Sequence, residues 1–229
     1  MQCLGEAMEE MTRQGDREAR FMGSITAGMT HEIRNVLAVI RESAGLMEDI
    51  MSLPESNFLP HKERFSKALG VIQQQVERAV ELVGRLNRFA HSMDQCWATV
   101  ELGDVLEQAS ALLARQARNR KVELRVRVQV EGVRIETDPF ALGMLVCRCI
   151  EHCVEGLGPG TALELEASKE AGRVILRIRP ASFGEEGQKK EGLPPELGVF
   201  ADVLAQLGFE AKHEDGHGGR SLLLLLEEV

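Results

Sequence analysis

Apolar residues over the first part of the chain recur at helical spacing. Ile33, Leu37, Ile40, Ala44 and Met47 follow at alternating steps of four and three, the stripe that a helix buries along one side. The pattern predicts one long helix over 16–51 with Asp16 as its N-cap, and residues 1–20 as a helical lead-in. Ser52 to Pro60, with two prolines and Asn57, breaks it. A second stripe of Phe65, Leu69, Ile72, Val76, Ala79, Val83, Leu86, Ala90 and Met93 predicts a helix over 61–93. Two such helices joined by a short loop make an antiparallel hairpin over 21–95. Val36 and Val39 lie off the main stripe of the first helix. Burying them predicts that two hairpins pair into a four-helix bundle, a homodimer.

From Trp97 the periodicity changes to mixed α and β, setting off a domain over 96–229. The expected order is a strand over 97–100, a helix over 102–118 and strands over 122–130 and 133–137. Asp138-Pro139 then opens a helix to about Leu157, ended by Gly156-Leu-Gly-Pro-Gly160. A hairpin over 161–168 and 173–179 follows, turning at Glu170-Ala-Gly172. A polar loop over 180–193 leads to a helix from Pro194-Pro195 to Leu207, and strands 209–214 and 220–228 close the domain. Gly216, Gly218 and Gly219 give the last turn its permissive backbone, with His213 and His217 marking the strand ends. Strands gathered on one sheet with helices on one face make an α/β sandwich. The fold class is thus α then α+β.

Composition narrows the function. The 229 residues are 44% hydrophobic and 28% charged, ordinary for a globular protein. A net charge of −9 opposes nucleic-acid binding, which needs a positive field around phosphates. No apolar run reaches the length of a membrane span, and Glu6, Glu9 and Glu10 do not suit a signal peptide, so a cytoplasmic protein without a membrane role is expected. Five cysteines with no regular framework fit a reducing compartment.

Chemistry concentrates at Met29-Thr-His-Glu-Ile-Arg-Asn-Val-Leu37. His31 lies roughly 200° around the helix from Ile33, so it points away from the apolar stripe. Glu32 adjoins it, and Asn35 is one turn on. A lone surface histidine is ordinarily just solvated, yet an imidazole flanked by a carboxylate and an amide can serve as a nucleophile.

His31-Glu-Ile-Arg-Asn35 followed by an apolar residue and Leu37 resembles the H-box of sensor histidine kinases, whose histidine accepts the phosphoryl group. That family has Pro after the Asn where this chain has Val36, which predicts a straighter helix. The element order after residue 96 is similar to that of the family's ATP-binding domain, as is the wording of Val100-Glu-Leu-Gly-Asp-Val-Leu-Glu107 and Glu136-Thr-Asp-Pro-Phe-Ala-Leu142. The nucleotide motifs depart from the family. His152 stands where the resemblance implies a magnesium-binding asparagine, in Cys149-Ile-Glu-His-Cys-Val-Glu155. Pro180-Ala-Ser-Phe-Gly184 has no aspartate for adenine. The Gly-rich lid is reduced to Glu191-Gly-Leu-Pro-Pro-Glu-Leu-Gly198, whose prolines lack the N–H groups phosphate would use. No bound ATP or intrinsic cofactor is expected.

Two further clusters read as structural. Cys147, Cys149, His152 and Cys153 do not converge as four ligands on one helix, so no metal site is expected. Arg115, Arg118, Arg120, Lys121, Arg125 and Arg127 read as solvated charge, since alternation puts the last two on an outward strand face.

The resemblance to dimeric histidine phosphotransferases implies a phosphorelay role. His31 would take a phosphoryl group from one response-regulator receiver and pass it to another, with magnesium supplied by the receiver's acidic pocket. Glu32 would orient the ring or accept its proton. Three other readings stand beside it: a phosphatase in which Asn35 positions water, a divergent kinase using His152 or Glu151, and a non-catalytic module that binds a receiver.

Overall fold

The computed structural model describes residues 2–52, 61–128, 132–170, 173–181, 201–216 and 219–226. They fall into two compact units, Met1–Arg88 and Phe89–Val229.

The first unit is a helical hairpin. Helix α1 spans Gln2–Met51 and α2 spans Lys62–His91, the last turn of α2 belonging with the second unit. Asp16, expected to cap α1, lies inside it instead. The residues before it (Glu6 to Gln14) are mostly strong helix formers, and single glycines at 5 and 15 cost too little to stop propagation.

The stripe that α1 buries differs from the expected one. Phe21, Ile25, Met29, Glu32, Val36 and Ile50 are buried, and Val36, expected to face outward, is only 2% exposed. Leu37, expected inside, is 54% exposed. Val39 is exposed, as its position off the stripe suggested. The two candidate stripes lie side by side on the helix, roughly 70° apart at 100° per residue, and heptad spacing fits either. Helix α2 behaves likewise: Ala68, Leu82 and Phe89 are buried, whereas Leu69, Val76, Val80 and Val83 are exposed.

The second unit is α/β. Its elements are β1 (Ala98–Glu101), α3 (Leu102–Asn119), β2 (Glu123–Val128), β3 (Arg134–Thr137), α4 (Pro139–Gly156), β4 (Ala162–Glu170), β5 (Arg173–Pro180), α5 (Ala201–Leu207), β6 (Glu210–Gly216) and β7 (Gly219–Leu226). The strands do not form one sheet. β1 and β3 pair antiparallel by themselves, and a five-stranded sheet runs in the order β2-β4-β5-β7-β6. The expected elements are otherwise present, with ends moved by a few residues. The turn at 171–172, most of the loop over 180–193, the start of the last helix and the turn at 217–218 lie outside the described residues.

Alternation builds the core of this sheet. Leu163, Leu165 and Ala167 of β4, Leu176 and Ile178 of β5, and Leu222, Leu224 and Leu226 of β7 are all at most 1% exposed. Helices α3 and α4 cover that face with Leu106, Leu113, Leu142, Leu145 and Ile150. Asp138 starts α4 as expected. Its carboxylate accepts from the N–H groups of Phe140 at 3.0 Å and Ala141 at 2.9 Å, and Pro139 needs no donor there.

The other sheet face carries a ladder of charge. Glu164 and Glu166 of β4 stand between Arg125 and Arg127 of β2 and Arg179 and Arg177 of β5. Glu164 pairs with Arg127 at 2.9 Å and Arg179 at 3.1 Å; Glu166, 2% exposed, pairs with Arg179 at 3.6 Å and Arg177 at 3.8 Å. Arg125 pairs with Glu123 at 2.7 Å. The basic run expected to be merely solvated therefore contributes Arg127 to a cross-strand ion-pair network.

Candidate phosphoacceptor site

Met29 and Val36 anchor the inner side of α1, and that fixes what the outer side presents. His31 and Asn35, four residues apart and one turn along, are both exposed. They share a face clear of the hairpin core. An imidazole so held is open to a partner molecule.

Glu32 is placed differently. It is buried, 7% exposed, and its Oε1 accepts from Arg78 Nη2 of α2 at 3.4 Å. The carboxylate thus sits at the α1–α2 seam, roughly 100° around the helix from His31. Arg78 brings a half-exposed guanidinium into the same layer of the hairpin. Sequence reasoning missed it, because a single arginine among the polar positions of α2 carries no signal until the pairing of the two helices is known.

On α4, His152, standing where the resemblance implied an asparagine, lies on an exposed edge. His152 and Glu155 are exposed and Arg148 and Glu151 half-buried, whereas Cys147, Cys149 and Cys153 are buried on the core side. His152 therefore does not share a face with the thiols. Burial pushes all three thiols up, Cys153 to about 12, which disfavours the thiolate form that a metal requires. Among the described residues no group of three or more His, Cys, Asp or Glu side chains is placed to hold a metal ion. Burial also pushes the Glu151 carboxyl above the ordinary range; Arg148 opposes this and Glu155 adds to it. Gly184 and the segment 191–198 lie outside the described residues. No helix among the described residues is long and apolar enough to cross a membrane.

Comparison with known proteins agrees with this division. Residues 21–94 match the family model of the His Kinase A (phospho-acceptor) domain. The chain is 25% identical over 181 residues to the sensor histidine kinase ZraS of Salmonella typhimurium, covering 78% of this chain and 37% of that protein. It is also 25% identical over 214 residues to the cell-division control histidine kinase PdhS of Brucella suis, covering 91% of this chain and 20% of that one. The chain thus spans well under half the length of these relatives. Among solved structures, the histidine kinase ThkA in complex with the response regulator protein TrrA aligns over 96% of this chain and 66% of that one, at 14% identity and a TM-score of 0.48. The phospho-acceptor match over the hairpin, the similarity to histidine kinases along most of the chain and the hairpin-plus-sheet fold together support a two-component histidine-kinase core.

Proposed function

We propose that this chain is a histidine phosphotransferase of a two-component phosphorelay, one that moves phosphoryl groups to and from response-regulator receivers through His31 and does not draw them from ATP. The observation that carries the reading is the contrast between two helix faces. α1 holds His31 and Asn35 exposed on a rigid, core-anchored helix, while the face of α4 where a kinase would bind magnesium offers Arg148, Glu151, His152 and Glu155. An imidazole is a poor replacement for the hard oxygen of an amide around magnesium.

In the forward step an unprotonated ring nitrogen of His31 attacks the phosphorus of a receiver's aspartyl phosphate. The P–N bond forms, the P–O bond breaks, and the aspartate leaves as a carboxylate; the return step reverses this. Most of the catalysis is positioning and charge neutralisation, with magnesium held by the receiver. Glu32, paired with Arg78, would accept the imidazole proton or hold the ring only when that pair loosens. The exposed Leu69, Val76, Val80 and Val83, which fall within roughly 60° of one another around α2, supply the apolar face that a second copy would cover in a homodimer.

The test uses receiver domains labelled with acetyl [32P]phosphate. The wild-type chain takes the label in an acid-labile, base-stable form, and His31→Ala takes none. A chain that labels itself from Mg-ATP alone is a kinase. That second reading is favoured by the curated relatives, which are histidine kinases. Loss of label from the receiver without its appearance on the chain, dependent on Asn35, marks a phosphatase.

A further inference from the structure

The seam of the hairpin carries a contact that bears on how His31 reacts. Glu32 Oε1 meets Arg78 Nη2 of α2 at 3.4 Å, and the two ends of this pair differ in their access to water. The carboxylate is buried, whereas the Arg78 side chain is 43% exposed. Keeping a carboxylate out of water is costly unless a cation and hydrogen bonds compensate it, so Arg78 favours the seam position of Glu32. Without that guanidinium the balance tips towards solvent.

Helix α1 leaves room for a second position of this side chain. On an α-helix a long side chain leans back over the residue one turn before it. For Glu32 that residue is Gly28, and a Cβ added at Gly28 would meet nothing within 4 Å. Gly28, Asn35 and His31 all lie to one side of Glu32, within roughly 100° around the helix. Buried Met29 and Val36 lie to the other side. A carboxylate that leaves Arg78 therefore has open surface on the side that carries the His31 ring.

We propose that Arg78 restrains the phosphoacceptor: it holds the Glu32 carboxylate at the seam, and loss of that contact delivers the carboxylate to the His31 imidazole. There it accepts a hydrogen bond from the ring N–H and, as the opposite nitrogen bonds phosphorus, takes that proton. Glu32 touches the reacting ring; Arg78 acts through Glu32 and is a positioning residue. This rests on the reading of His31 as the phosphoryl acceptor and adds how its reactivity is set.

The experiment measures how fast phosphoramidate, a small donor that needs neither a receiver nor a nucleotide, phosphorylates the histidines of the full chain. A ring nitrogen attacks phosphorus and the new P–N bond forms; the old P–N bond breaks, and ammonia leaves and takes up a proton. Mass spectrometry of the peptides gives the rate at His31 relative to that at the exposed His152 of α4. Arg78→Ala raises this ratio at least about threefold, and Arg78→Lys, which keeps a cation at the seam, stays within about twofold of wild type. Glu32→Gln combined with Arg78→Ala shows no rise. A released restraint gives a gain, whereas a damaged hairpin does not. Ala and Gln both favour a helix, so if Arg78→Ala melts below the assay temperature, Arg78→Gln is read in its place by the same ratios. The restraint is overturned if the ratio stays level or falls in Arg78→Ala, or if it rises equally without Glu32 or in Arg78→Lys. A chain that shows the expected ratios but takes no label from receivers keeps the restraint and loses the relay role. One that takes the label with level ratios keeps the relay role and loses the restraint.

Discussion

Helices α1 and α4 each place a histidine on an exposed edge with a carboxylate next in sequence, yet they read oppositely. On α1, His31 is followed by Glu32, buried and paired with Arg78, and by Asn35 exposed one turn on. On α4, His152 follows a Glu151 kept partly out of water and is backed by a row of buried thiols. The first helix presents the residue types that the proposed phosphoacceptor role uses; the second presents His152 where the resemblance implied a magnesium-binding asparagine. What separates them is the set of groups available around each ring, because both rings are accessible.

The largest expected effect is a functional one that breaks the symmetry outright. His31→Ala abolishes labelling from phosphorylated receivers, while His152→Ala leaves it within about twofold, since no step of the proposed transfer runs through α4. Alanine is the best helix former and both rings are exposed, so circular dichroism melts of the two variants stay close to wild type. Equal losses from the two variants would remove the distinction.

A second contrast sets the ion pair at the hairpin seam against the charge ladder of the sheet. Arg177, whose side chain is 15% exposed, serves the buried Glu166. Arg177→Leu removes one of the guanidinium groups paired with that carboxylate, Arg179 remaining at 3.6 Å, and lowers unfolding free energy by about 1–3 kcal/mol, read by urea denaturation with an unchanged m-value. Val36→Pro restores the residue that the resembled family carries and should cost about 3 kcal/mol, because Val36 is buried in mid-helix and Pro removes a helical hydrogen bond. A smaller loss there would mean that α1 tolerates the family's kink.

The α4 thiols make the smallest prediction. Their pKa values are raised in the folded state relative to an ordinary thiol near 9, with Cys153 at about 12. The unfolded chain therefore releases these protons at lower pH than the folded one. The contribution is fully present below about pH 8.5 and is lost as pH rises towards 12. Thermal stability should fall across that interval, and less steeply in Cys153→Ala. In the native protein at neutral pH, the exposed Cys96 reacts with a thiol reagent and Cys147, Cys149 and Cys153 do not.

Much of this molecule was legible in its sequence. Heptad spacing gave the hairpin, and alternation with Asp138-Pro139 gave the elements of the sheet domain in order. The orientation of α1 was not legible. Leu37 and Val36 belong to neighbouring stripes of equal periodicity, and only packing against α2 chooses between them. The ladder was hidden for a related reason: Arg127, Glu166 and Arg177 are far apart in sequence and become neighbours only through strand register. His31 and Asn35 stand on the outer face that the spacing implied, whereas Glu32 turns to Arg78, a partner that a single helix cannot reveal.

In the proposed relay the phosphate on His31 comes from a receiver and not from a nucleotide. Isothermal titration of the intact chain with Mg-ATP tests it most directly. A chain that relays phosphate without ATP gives no saturable heat up to millimolar nucleotide; a single site per chain with micromolar affinity would overturn the proposed function.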